Sequence, residues 1–101
     1  MMKILSAKNA KSQKGNGRTH TFSFEAPAAT RVQLAGDFTN WQQNPISMQK
    51  GPDGIWHAAV ELKLGRHHYR FLVDGKWCDD PKSALQAPNP YGGRNAVRLV
   101  V

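Results

Sequence analysis

Gly65-Arg-His-His-Tyr-Arg-Phe-Leu-Val-Asp-Gly-Lys-Trp77 has the alternation of a strand followed by the signal of a tight hairpin. Tyr69, Phe71 and Val73 fall on one face and His68, Arg70 and Leu72 on the other, because successive side chains of an extended chain point in opposite directions. Asp74-Gly75 supplies the left-handed backbone that a two-residue hairpin turn requires, so His67 to Val73 is expected to turn directly into a short strand at Lys76 to Cys78.

The same period of two extends in both directions. Trp56, Ala58, Val60 and Leu62 share one face of a strand over Ile55 to Leu62, and the turn Gly51-Pro-Asp-Gly54 joins it to a short strand near Ile46 to Gln49. Upstream, Val32 and Leu34 mark one strand. Phe22 and Phe24 mark another, which Pro27 ends because it cannot donate a ladder hydrogen bond. A Pro- and Asn-rich loop is expected over Asp79 to Gly93, with a last strand at Ala96 to Val101. About seven short antiparallel strands with this spacing predict an all-β domain over 19–101, a two-layer β-sandwich of immunoglobulin-like outline.

The 101 residues make one domain of a size that buries its own core. A single cysteine, Cys78, excludes an internal disulfide and a Cys-rich zinc site, and fits a reducing cytoplasm. The start, Met-Met-Lys-Ile-Leu, turns polar by Ser6, so neither a secretory signal nor a membrane span is expected. The net charge of +7 is unevenly placed. Residues 1–18 hold five bases and no acid, whereas 19–101 hold nine bases against seven acids. The basicity therefore belongs mostly to an expected flexible N-terminal tail over 1–18, read as a solubilising arm rather than a nucleic-acid element.

Catalysis needs a nucleophile with its base, a carboxylate pair in a cleft or a metal cluster, and the sequence suggests none of these. Asp37, Asp53, Asp74 and Asp80 sit beside turn residues, where a carboxylate that accepts nearby backbone N–H groups is the simpler reading. His67 and His68 point to opposite faces of one strand and cannot clasp a metal together. No cofactor is expected. Trp56 reads as core, but Trp41 and Trp77 each close a polar turn and are expected to be exposed, unless either folds back as a lid. Exposed indoles suit the apolar C–H face of a pyranose, with Arg70 and Asn95 as hydrogen-bonding companions. The same groups would stack nucleic-acid bases, a reading that predicts steep weakening with salt.

Five fragments in order carry a resemblance: Leu-Ala-Gly-Asp-Phe-Thr-Asn-Trp at 34–41, Gly-Ile-Trp at 54–56, the stretch 65–77, Asp-Pro at 80–81 and Asn-Pro-Tyr-Gly-Gly-Arg-Asn at 89–95. Over about 20–101 the chain resembles the family-48 carbohydrate-binding modules, and within them the glycogen-binding domains of AMP-activated protein kinase beta subunits. The resemblance implies an early-set sandwich that binds α-1,4-linked glucans such as glycogen, starch chains, maltooligosaccharides or cyclodextrins without catalysis. It implies stacking on Trp41 and Trp77 and hydrogen bonding by Arg70, where the kinase domain has lysine. The kinase domain has two adjacent asparagines, one of which contacts sugar, where this chain has Arg94-Asn95, so either Asn95 fills that role or the contact is lost. For a leucine that enters the cyclodextrin ring in the kinase domain, Tyr91 is the nearest candidate. The competing reading is an interaction module that docks on a kinase or glucan-processing enzyme and keeps only a vestigial sugar site.

Overall fold

The structure, a computed structural model, describes residues 17–101. The remainder of the expected basic tail lies outside the described residues. Alternating apolar side chains produce nine strands among them: β1 (Gly17–Glu25), β2 (Val32–Gly36), β3 (Ile46–Ser47), β4 (Gln49–Lys50), β5 (Ile55–Lys63), β6 (Gly65–Val73), β7 (Lys76–Cys78), β8 (Gln86–Pro88) and β9 (Arg94–Val100). The first strand thus includes Gly17 and Arg18, two residues that the sequence reading left with the tail.

The strands form two antiparallel sheets of a β-sandwich. One has the order β1-β5-β4, and the other has the order β3-β2-β6-β9-β8 with β7 also paired to β6. Each predicted alternation meets a core. Trp56 and Leu62 of β5 and Phe22 of β1 face Val32, Leu34, Tyr69, Phe71, Ala96 and Val100 of the other sheet. Trp56 donates its indole N–H to the Ala26 carbonyl at 2.9 Å, which satisfies its one polar atom.

Two of the predicted segments come out differently. The expected strand over 46–49 divides at buried Met48: Ile46–Ser47 pairs with β2, while Gln49–Lys50 pairs with β5 in the opposite sheet. The loop expected over 79–93 contains β8, which pairs with Arg94–Ala96. Pro88 is tolerated there because β8 is an edge strand and needs no second ladder donor.

The Asp74-Gly75 turn forms as expected, with φ of 50° and 83°. Two of the four turn carboxylates behave as read, Asp53 accepting the N–H of Ile55 and Asp80 that of Lys82, whereas Asp37 accepts the N–H of His68 and Asp74 those of Thr30 and Arg31, all distant in the chain. Asp80 is also buried, and Tyr69, itself in the core, donates its hydroxyl to it at 2.6 Å. This bond anchors the start of the 79–93 segment to the sandwich.

Burial and, to a smaller degree, the Asp80 hydrogen bond push the Tyr69 phenol up from 10.0 to about 12. The folded chain therefore keeps a proton that the unfolded chain loses above pH 10. Stability from this group is fully present below pH 10 and declines as pH rises toward 12. Tyr69→Phe is expected to cost about 1 to 3 kcal/mol at neutral pH, because it removes a donor from a buried carboxylate. It should also flatten the decline between pH 10 and 12, and denaturant unfolding across that range checks both expectations.

Candidate functional site

The central strand of the larger sheet brings the candidate residues together. A strand has two edges, and β2 occupies one edge of β6 along Tyr69–Val73. The other edge is shared: β9 pairs with Gly65–Tyr69 and β7 with Phe71–Val73. Arg70 lies where the two partners meet. Its side chain is on the outer face, as alternation with buried Tyr69 and Phe71 requires. Trp77 pairs directly with Leu72 and so shares that face, as does Asn95, the neighbour of core residue Ala96.

Trp41 reaches the same face from the end of β2, by way of two short 3-10 turns, Asp37–Thr39 and Trp41–Gln43. Asn40 and Trp41 both have φ of 56°. Asn tolerates this left-handed conformation, but for a bulky indole-bearing residue it is strained, and strain of this kind concentrates at sites of function. The surroundings hold it in place: buried Thr39 accepts the Gly36 N–H at 3.0 Å and donates its hydroxyl to the Trp41 carbonyl at 2.8 Å.

Trp41, Gln42, Arg70, Trp77, Asn89, Pro90, Tyr91, Gly93 and Asn95 line one cleft of about 580 Å³. All five residues singled out from the sequence are among them. The two indoles meet edge to face, with centroids 6.4 Å apart and planes at 68°. Trp77 is exposed as expected, whereas Trp41 is half-buried, so the pair is not equally open. Tyr91 stands at the rim and is 93% exposed. Arg70 lies over Trp77, 5.7 Å from the ring centroid, and pairs with Asp79.

Asn95 is 7% exposed, more enclosed than its sequence position suggested. Asn89, which the sequence reading quoted but gave no role, explains this. Its Oδ1 accepts the N–H groups of Tyr91 and Gly93, which fixes the tight turn that carries Tyr91. Its Nδ2 therefore faces Asn95 and donates to Asn95 Oδ1 at 3.3 Å. Asn95 itself is among the residues that line the cleft. Gln42 also escaped the sequence reading, although its place directly after Trp41 was a usable signal. No cluster of three or more metal-ligating side chains occurs among the described residues, and no helix there is long and apolar enough to cross a membrane.

Residues 19–100 match the protein family described as the glycogen recognition site of AMP-activated protein kinase. The chain is 40% identical over 54 residues to 5'-AMP-activated protein kinase subunit beta-1 of Sus scrofa, covering 54% of this chain and 42% of that protein. Against the subunit of Homo sapiens it is 35% identical over 54 residues, 54% of this chain and 19% of that one. It is 33% identical over 85 residues to a 1,4-alpha-glucan branching enzyme of Lactobacillus acidophilus, covering 79% of this chain and 13% of the enzyme. The chain thus spans less than half the length of each of these relatives.

Proposed function

Because the chain belongs to the family of the AMP-activated protein kinase glycogen recognition site, we propose that it binds α-1,4-linked glucans at the cleft between Trp41 and Trp77, without catalysis. One observation carries the reading: two indoles, a guanidinium, a carboxamide and an exposed phenol converge on a single cleft on the outer face of the larger sheet. The apolar rings suit the C–H faces of glucose, and Arg70, Asn95 and Gln42 suit its hydroxyl rim. The 68° between the indole planes favours consecutive rings of a curved α-1,4 chain over the flat ribbon of a β-1,4 chain. Tyr91, at the rim, is placed to reach the opening of a cyclic or helical glucan. The relatives carry the matched region within a kinase subunit and a glucan-branching enzyme. This supports a targeting role, in which the domain holds a kinase or a glucan-processing enzyme on its polysaccharide.

Affinity electrophoresis through a gel containing glycogen tests the proposal. Retardation that excess maltoheptaose reverses and cellohexaose does not is the expected result. Unretarded migration of the folded wild type, or equal competition by cellohexaose, would overturn it.

A further inference from the structure

Arg70 is the one charged side chain among the residues that line the cleft. Left alone, it would give the site a net positive charge and a planar fork of donors, the arrangement that proteins use to hold phosphate monoesters. Asp79, directly after β7 and two residues from Trp77, alters both properties. Its Oδ1 accepts from Arg70 Nε at 3.1 Å and lies 2.9 Å from Nη2. The Nε–Nη2 edge, one of the two edges of the fork that can grip an oxyanion, is therefore occupied, and the positive charge is compensated at contact distance. What remains for a ligand is the Nη1–Nη2 end of the guanidinium, whose Cζ lies over Trp77.

We infer that Asp79 is a positioning residue that sets the ligand class of the cleft: by occupying and neutralising Arg70, it selects uncharged glucans and rejects glucans that carry phosphate esters. The inference rests on the proposed glucan site. Its consequence falls on binding rather than on folding, because the Asp79 side chain is 62% exposed and ion pairs that open to water add little stability. A phosphate ester carries close to two negative charges. Within reach of Arg70 it also meets the Asp79 carboxylate, and repulsion offsets most of the attraction. Without that carboxylate the attraction is unopposed.

The test is calorimetric titration of the full chain, and of Asp79→Asn and Asp79→Glu, with maltoheptaose and with maltoheptaose bearing a 6-phosphate. Wild type and Asp79→Glu are expected to prefer the uncharged oligosaccharide. Asp79→Asn should bind it about three- to tenfold more weakly, and bind the phosphorylated one about three- to tenfold more tightly. That gain should vanish at about 1 M salt, where screening acts within a few ångströms. The thermal midpoint should stay close to that of the wild type. A merely structural Asp79 would shift the midpoint and lower both affinities together. An Asp79→Asn variant with the wild-type ratio of affinities would overturn the inference while leaving the glucan site standing. A folded wild type that binds neither oligosaccharide would overturn both.

Discussion

Trp77→Ala is expected to weaken binding of β-cyclodextrin about 30- to 150-fold while leaving the fold intact. One indole face offers roughly half of the 150 to 250 Å² that a large aromatic side chain presents. At about 25 cal/mol per Å², covering it with a sugar ring contributes about 2 to 3 kcal/mol, which corresponds to that change in dissociation constant. Trp77 is the more sensitive of the two indoles for geometric reasons. It is the exposed member of the pair, and it is also the ring against which Trp41 and Arg70 are both set. Its loss removes a stacking face and the surface that orients two neighbours. The buried cluster between the sheets contains neither Trp77 nor Trp41, so the thermal midpoint should change little. Fluorescence or calorimetric titration checks the expectation, and an affinity within threefold of wild type would remove Trp77 from the site.

Gly36→Ala is the second large effect, and it acts through the backbone. Gly36 is extended, so the requirement is for space rather than for an unusual torsion. A methyl group there would collide with the His68 carbonyl oxygen and come within 2.7 Å of the Phe38 ring. The carbonyl belongs to β6, so relief means separating β2 from the central strand. Gly36 is also the point from which the Trp41 turn is hung, since its N–H is the bond that Thr39 accepts. A cost of about 2 to 3 kcal/mol is expected from the overpacking, a fall of roughly 10 to 20 °C in thermal midpoint for a domain of this size. Cyclodextrin affinity should fall as well, at temperatures where the variant remains folded, because displacement of Gly36 carries Trp41 with it. A midpoint within 3 °C of the wild type would show that the close approach at Gly36 is not needed.

Both effects bear on how the site is encoded. Trp77 was legible because its turn is written in adjacent residues: Asp74 and Gly75 adopt the positive φ that their side chains permit, and Trp77 follows at a fixed offset. Trp41 was legible as a turn-end tryptophan, but its degree of burial was not. That depends on Trp77, which comes 36 residues later in the chain. Asp79 and Asp80 are adjacent, and the sequence reading gives a role to Asp80 alone. The structure gives the two separate tasks: Asp79 faces Arg70 outside the sheet, and Asp80 takes the Tyr69 hydroxyl inside it. Asn89 shows the same limit, because its importance lies in bonds to Tyr91, Gly93 and Asn95 that no pattern of residue types announces.

The sequence by itself determined the all-β character, the inward faces of β1, β5 and β6, the Asp-Gly hairpin and the local turn carboxylates Asp53 and Asp80. Each of these follows from alternation or turn chemistry that acts over a few neighbouring residues. Only the tertiary structure decided that the strand expected over 46–49 divides between the sheets, that β8 forms within a Pro-rich segment, and that Trp41, Arg70, Trp77, Tyr91 and Asn95 share one cleft. Those outcomes depend on which strands pair along which edges of the two sheets. Edge occupancy is settled by pairing between segments far apart in the chain, where many registers compete and the buried core selects among them.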